Sequence, residues 1–242
     1  MDQSEVYVLR TIDYREHAKL VYMLSESGII SAVAHGAKKM HSPLRLLAQS
    51  GNHLAVTLST SRLPAMKDAS LINRYEGIKN DLIKTTVASV IHELIYYNIT
   101  DDDDHNKLFQ FLLKTMHALE TTRVPLEILM IFELKFLYFL GYGLDLRRCA
   151  VCGREYPLYF DTHTALTYCT DHVVDVNRSL DQKAFKPLEA LLWVDISQFE
   201  PLDLKDESID TYMRIIDDLY AHYLSVKTKA KSILYRLRVE GE

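Results

Sequence analysis

All three cysteines of this chain fall in one short window, Cys149-Ala150-Val151-Cys152 followed by Cys169-Thr170-Asp171-His172, with sixteen residues between the two pairs. A C-x2-C turn brings two side chains to bear on one point, and a C-x2-H turn does the same. Two such knuckles at this separation are the spacing of a small zinc module, because Zn²⁺ takes four soft or borderline ligands in a tetrahedron. The alternative is a set of inert buried thiols. The fourth corner is the least determined by spacing, since Asp171 or His163 could stand in for His172. A site with four protein ligands leaves no position for a reacting water and is structural. Thiols held at metal spacing also argue for a reducing compartment, the cytoplasm, and against a disulfide framework.

The 242-residue chain as a whole has a globular composition, with 48% hydrophobic and 25% charged residues and a net charge of −5. No apolar run approaches the roughly 20 residues that span a bilayer, and the polar, acidic start is unlike a secretory signal. The charge is uneven. Residues 1–80 hold ten Lys and Arg against seven Asp and Glu, while the rest holds eighteen against twenty-six. A basic front is a weak pointer to a polyanion there.

Hydrophobic period divides the chain near residue 77. Short β-rich runs at 5–11, 19–24, 29–34, 53–58 and 69–73, with no long helix between them, predict a five-stranded barrel or sandwich over 1–77. An OB-type barrel fits the count, and periodicity does not separate it from an SH3-like one. Between the third and fourth strands runs His35-Gly36-Ala37-Lys38-Lys39-Met40-His41-Ser42-Pro43-Leu44-Arg45. Its Lys38, Lys39 and Arg45 suit phosphate contacts. Tyr7, Tyr14 and Tyr22 either stack bases or fill and edge the barrel.

From 78 to 242 the period is helical. An apolar stripe occupies 78–95. The run Asp101-Asp102-Asp103-Asp104 lacks the alternation and glycine of a calcium loop and reads as a solvated cap for a helix at 107–119. Pro125 opens a helix at 126–140 that is apolar nearly all round, the expected centre of a helical domain, with Glu133 and Lys135 at its rim. The cysteine module, 145–175, follows with a short hairpin expected inside it. Helices at 181–194 and 207–238 close the chain. The basic end of the last, Lys227, Lys229, Lys231, Arg236 and Arg238, suits either the helix dipole or a polyanion. The chain is therefore α+β. It has no phosphate-cradling glycine loop, no G-x-S-x-G and no H-E-x-x-H, and its thiols are committed to metal, so the reading leans away from an enzyme.

Three stretches in this order carry a resemblance. They are Val8-Leu9-Arg10-Thr11-Ile12-Asp13-Tyr14, then Gly28 through Lys39 with Ser42 shortly after. The third is Phe132-Glu133-Leu134-Lys135-Phe136-Leu137, continuing through Gly141-Tyr142 and Leu146 to Cys149-Ala150-Val151-Cys152-Gly153. Together they resemble the RecO family of bacterial recombination mediators. The resemblance implies an N-terminal OB-fold and a helical C-terminal domain with a zinc-binding module. It also implies binding of single- and double-stranded DNA and annealing of complementary strands. The implied partners are RecR and the single-stranded-DNA-binding protein, whose acidic C-terminal tail docks on the family's helical domain, and the implied outcome is loading of RecA. Residue by residue, it carries DNA contact to Arg10, Lys38, Lys39 and Arg45, and metal binding to Cys149, Cys152, Cys169 and His172. Many members have a fourth cysteine where this chain has His172. With a pI near 6.1, the chain is also acidic for a DNA binder, which favours completion of a basic surface by a partner. The competing expectation is a zinc-stabilised scaffold whose barrel binds protein and not DNA.

Overall fold

A computed structural model describes residues 3–224 and 228–240. Five strands open the chain: β1 (Ser4–Tyr14), β2 (Ala18–Ser25), β3 (Gly28–Ala34), β4 (His53–Leu58) and β5 (Met66–Asn73). All pair antiparallel in the order β3-β2-β1-β4-β5. The two ends of that order meet where Val33 bridges Ala65 in parallel and its N–H donates to the Pro64 carbonyl at 2.7 Å. The interior is built of Val6, Val8, Val21, Met23, Leu54 and Val56, with alanines at Ala32 and Ala34 where space is short.

β1 serves two partners because it is bulged. The register with β2 skips Leu9, between Val8 and Arg10, so the early half of the strand faces β4 and the later half β2. Strict alternation also fails here: Val6, Tyr7, Val8 and Leu9 are all buried. The cause lies outside the sheet. After the one-turn helices α1 (Leu44–Leu47) and α2 (Glu76–Lys79) comes α3 (Leu82–Asn98), followed by α4 (His105–Thr121). These cover the outer face, so β1 is buried on both sides. Tyr7 packs edge-on to His92 of α3, with ring centroids 5.3 Å apart, and His53 packs in the same way against Phe109 of α4 at 6.2 Å. Tyr7 is thus a core residue, and of its two expected readings, stacking a base is excluded by burial.

Caps set the helix starts. Asp81 accepts from Lys84 N at 2.9 Å to open α3, and Asp104 accepts from Lys107 N at 3.0 Å to open α4. The four-aspartate run is therefore a turn and a cap. The single closing helix expected over 207–238 is instead two, α7 (Asp206–Tyr223) and α8 (Lys229–Glu240). Thr228 Oγ1 accepts from Lys231 N at 3.4 Å, a fresh helix start that the apolar stripe upstream masked. Lys227 lies outside the described residues.

Packing gathers the chain into two compact units, Met1–Thr122 with Thr228–Glu242, and Arg123–Lys227. α8 belongs to the first because it lies on α3, where the Glu93 carboxylate accepts from Ala230 N at 3.2 Å.

The second unit is centred on α5 (Pro125–Phe139), flanked by α6 (Gln182–Trp193) and α7. Nearly every α5 side chain from Glu127 to Leu137 is buried. Two acids lie in that interior. Glu127 accepts from Leu202 N and Leu204 N, both at 2.9 Å, pinning the segment ahead of α7. Glu133 is 1% exposed, not at a rim as expected. A helix that is apolar all round has no solvent face to receive an acid. Lys135 reaches the Leu192 carbonyl at 2.8 Å. A small sheet, β7 (Leu166–Cys169), β6 (Leu158–Asp161) and β8 (Ser179–Asp181) in that order, extends the hairpin expected from sequence by one strand. Among the described residues no helix is long and apolar enough to cross a membrane.

His92 is fully enclosed, and burial, helped by the Lys79 charge, pulls its pKa down to about 3. An unfolded chain would protonate it near 6.5. The unfolded state therefore takes the proton first, and stability falls as pH drops from about 6.5 towards 3. At about 1.4 kcal/mol per unit the loss amounts to several kcal/mol. His92→Gln keeps a donor and an acceptor but cannot charge. Urea unfolding at pH 7, 5.5 and 4.5 should show a shallower acid slope in the variant than in the parent chain.

Candidate metal centre and nucleic-acid interface

The hairpin of β6 and β7 carries the two knuckles at its base. Cys169 ends β7, and Ala150 N donates to the Thr167 carbonyl of the same strand at 2.8 Å, so the first knuckle is tied to the strand that delivers the second. Thr167 Oγ1 strengthens the tie by donating to the carbonyls of Arg148 and Asp145 at 2.5 and 3.1 Å. Inside the first knuckle Gly153 N returns to the Cys149 carbonyl at 2.9 Å, with Gly153 at φ +73°, a turn conformation that L side chains rarely adopt. In the second, His172 N and Val173 N both donate to the Cys169 carbonyl, at 3.0 and 2.9 Å. These are successive backbone N–H groups wrapping a ligand-bearing turn.

The result is convergence. The ligand atoms of Cys149, Cys152, Cys169 and His172 all lie within 4.8 Å of one another. His172 Nδ1 is 3.2 Å from Cys169 Sγ and 3.6 Å from Cys149 Sγ, and Cys152 Sγ is 3.7 Å from Cys169 Sγ. Burial works against ionising the Cys149 thiol. Backbone N–H groups at Cys152, Cys169 and Val151 outweigh it and hold the thiol down at about 6. A thiol that ionises easily is one prepared to be a metal ligand. Three sulfurs and an imidazole nitrogen at these separations fit a tetrahedral thiophilic ion. The other two sequence candidates for the fourth corner are not among these converging atoms. Asp171 pairs with Arg154 at 2.8 Å, and His163 sits in the β6–β7 turn, where its backbone N–H donates to Asp161.

The basic candidates do not form one set. Lys38 and Lys39 sit in a loop held by successive turns, Lys39 N to the Gly36 carbonyl at 2.8 Å and Ser42 N to the Lys39 carbonyl at 3.2 Å, and Arg45 follows on α1. All three are exposed, but Lys38 Nζ is paired with Asp13 at 2.8 Å, which takes up part of its charge. Arg10 is not in that loop. Placed on β1 just after the bulge, it lies over the Tyr96 ring at 5.3 Å and donates to the Tyr97 hydroxyl at 3.4 Å, in a groove with Lys229. Tyr22, one of the two remaining stacking candidates, packs edge-on against Tyr96 at 5.2 Å, and Tyr14 has Arg15 over its ring at 5.1 Å. No motif marks Tyr96 and Tyr97; their one signal in the sequence is that two bulky polar-tipped residues end the apolar stripe of α3. At the other end of the chain, Lys231 is 8% exposed and so is no part of a contact surface.

A small antiparallel sheet whose ends meet, wrapped on its outer face by helices, is joined in one chain to a helical unit carrying a cysteine–histidine cluster. These features define an α+β protein with a Cys3His cluster that could hold a metal ion. Comparison with known proteins is specific. The chain matches the family model for the recombination protein O N-terminal region over residues 1–75 and that for its C-terminal region over 79–232. It is 29% identical over 249 residues to the DNA repair protein RecO of Streptococcus pyogenes serotype M49, covering all of this chain and 98% of that one. It is 25% identical over 245 residues to the DNA repair protein RecO of Clostridium novyi, covering 98% and 94%. The chain belongs to the RecO family of DNA repair proteins.

Elemental analysis of the purified protein should find one transition-metal equivalent per chain. Cys169→Ser should lose it, and so should His172→Ala. Asp171→Ala should retain it, because that carboxylate is spent on Arg154. Loss of metal in the Asp171 variant alone would move the fourth corner.

Proposed function

We propose that this protein is a non-enzymatic mediator of DNA repair and recombination. It binds single- and double-stranded DNA and anneals complementary strands. With RecR, it helps load RecA onto single strands coated by single-stranded-DNA-binding protein. The observation that carries this reading is family membership over both halves of the chain. The geometry supports it. A five-stranded sheet in the order β3-β2-β1-β4-β5, with β3 meeting the lead-in to β5 in parallel, agrees with the OB-fold expected from sequence, a barrel that recurs in oligonucleotide binding. The Lys38–Lys39–Arg45 loop opens from its β3 end. The partners are DNA, RecR and the acidic tail of the single-stranded-DNA-binding protein. The setting is cytoplasmic, at the nucleoid.

The metal in this reading is zinc, held by Cys149, Cys152, Cys169 and His172, and its work is structural. Strands of four residues make a hairpin that is marginal alone. Leu158, Phe160 and Ala165 are its main buried side chains. The two larger supply about 2 kcal/mol each, against roughly 10 kcal/mol or more for a zinc site of this kind. The ion therefore dominates the module, and the module docks through Phe160 on Phe185 of α6, with centroids 6.2 Å apart.

A second reading, a scaffold whose barrel binds protein only, draws on the net charge of −5 and on the Lys38–Asp13 pair. The two part on salt. Fluorescence anisotropy of labelled single-stranded DNA over 50–200 mM salt, with and without RecR, should show affinity falling steeply as salt rises. The combined Lys38→Glu, Lys39→Glu and Arg45→Glu variant should bind at least tenfold more weakly. Absence of any salt-dependent binding, alone or with RecR, would favour the scaffold.

A further inference from the structure

We infer that the groove holding Arg10 is a stacking subsite for single-stranded DNA, distinct from the basic loop and built from the end of α3 and the start of α8. The inference rests on the DNA-binding reading above and assigns a place to it. The groove encloses about 310 Å³, at the lower end of the range of ligand sites. Its chemistry is that of a nucleotide cradle: two cations, two aromatic rings and a rim of hydroxyls.

The aromatic part is pre-formed. Tyr96 and Tyr97 meet edge to face at 5.1 Å, and Tyr97 stands 56% exposed. Arg10 holds the pair in place from β1 through the Tyr96 ring and the Tyr97 hydroxyl. The remaining groups are spent on the fold. Ser50 donates to the Leu9 carbonyl, and Glu93 accepts from Ala230 N. Of the exposed groups in the lining, Arg10, Tyr97 and Lys229, two are cations and one is an aromatic ring.

Lys229 supplies an independent observation. It is exposed at the first position of α8, the end where the helix dipole disfavours a cation. Its charge does nothing for its own helix, and it lines the same groove as Arg10. With two cations facing one carboxylate already engaged by backbone, the groove favours an anion. An exposed tyrosine in a groove lined by two cations selects bases that can be unstacked, which a single strand offers and a duplex does not.

The two groups make separable contributions. Stacking on Tyr97 adds affinity without releasing counterions, whereas Arg10 and Lys229 add salt dependence. Labelled oligothymidylate and a duplex of equal length would be titrated with the full-length protein, Tyr97→Ala, Tyr97→Phe, and Arg10→Ala combined with Lys229→Ala. Tyr97→Ala is expected to weaken single-strand binding about tenfold with the salt slope unchanged, to leave duplex binding within twofold, and to be rescued by phenylalanine. The double cation variant is expected to lower the salt slope by about two. Matching circular dichroism melts would show that each variant folds, as the exposure of Tyr97 predicts. Parent-like single-strand binding by folded Tyr97→Ala would overturn the subsite while leaving the DNA-binding reading intact. Displacement of the oligonucleotide by equimolar thymidine monophosphate would also overturn it, reassigning the groove to free nucleotides. Absence of DNA binding by the parent chain would overturn both readings.

Discussion

A histidine shut away from water must spend both ring nitrogens on the protein around it, and the first unit is arranged about one that does. Ser50 gives its hydroxyl proton to the Leu9 carbonyl at 2.8 Å, which leaves its oxygen to accept from His92 Nδ1 at 3.3 Å. His92 Nε2 then has to be the acceptor, and Tyr7 donates to it at 3.0 Å. The tautomer follows from the partners. Burial pushes the Tyr7 hydroxyl well above its ordinary pKa, so the donor keeps its proton. The carbonyl that ends this relay belongs to the bulge residue, which no sheet partner serves. The bulge that lets β1 pair on two sides is thereby satisfied by the loop before β4 and locked to α3. Sheet, loop and helix depend on one another through four residues.

Much of the organisation was legible because it obeys a period. The five strand positions, the all-round apolar helix at α5 and the ligand-spaced cysteines are patterns within single stretches. What escaped depends on what lies across from a residue. Nothing local marks Leu9 as an extra residue in its strand, and nothing in β1 says that a helix will bury its outer face. A rim is where acids such as Glu133 usually lie, yet every position of its helix from Glu127 to Leu134 is buried. The break between α7 and α8 was masked by the apolar stripe upstream, although Thr228 carried the signal of a new start.

The metal cluster and the basic residues contrast in the same terms. The cluster was readable because its four ligands sit on two turns whose spacing fixes their convergence. Of the three candidates spacing left for the fourth corner, His172, Asp171 and His163, only His172 converges with the cysteines, while Arg154 takes the aspartate. The basic residues were readable as charge but not as surface. A loop delivers Lys38, Lys39 and Arg45 together, while the bulge turns Arg10 towards α3, where Tyr96 and Tyr97 wait some 87 positions along the chain.

The return of α8 to α3 also sets a timetable. On a ribosome the sheet and α3 emerge first, and Arg123–Lys227 can pack on its own while synthesis continues. Only then does the segment arrive that covers α3 with Ala230 and Leu234, 3% and 0% exposed in the finished fold. Until α8 emerges, the nascent first unit carries an uncovered apolar helix face, and the Glu93 carboxylate lacks the Ala230 N–H that it accepts from in the finished fold. The helix that finishes the first unit is made only after the whole of the second.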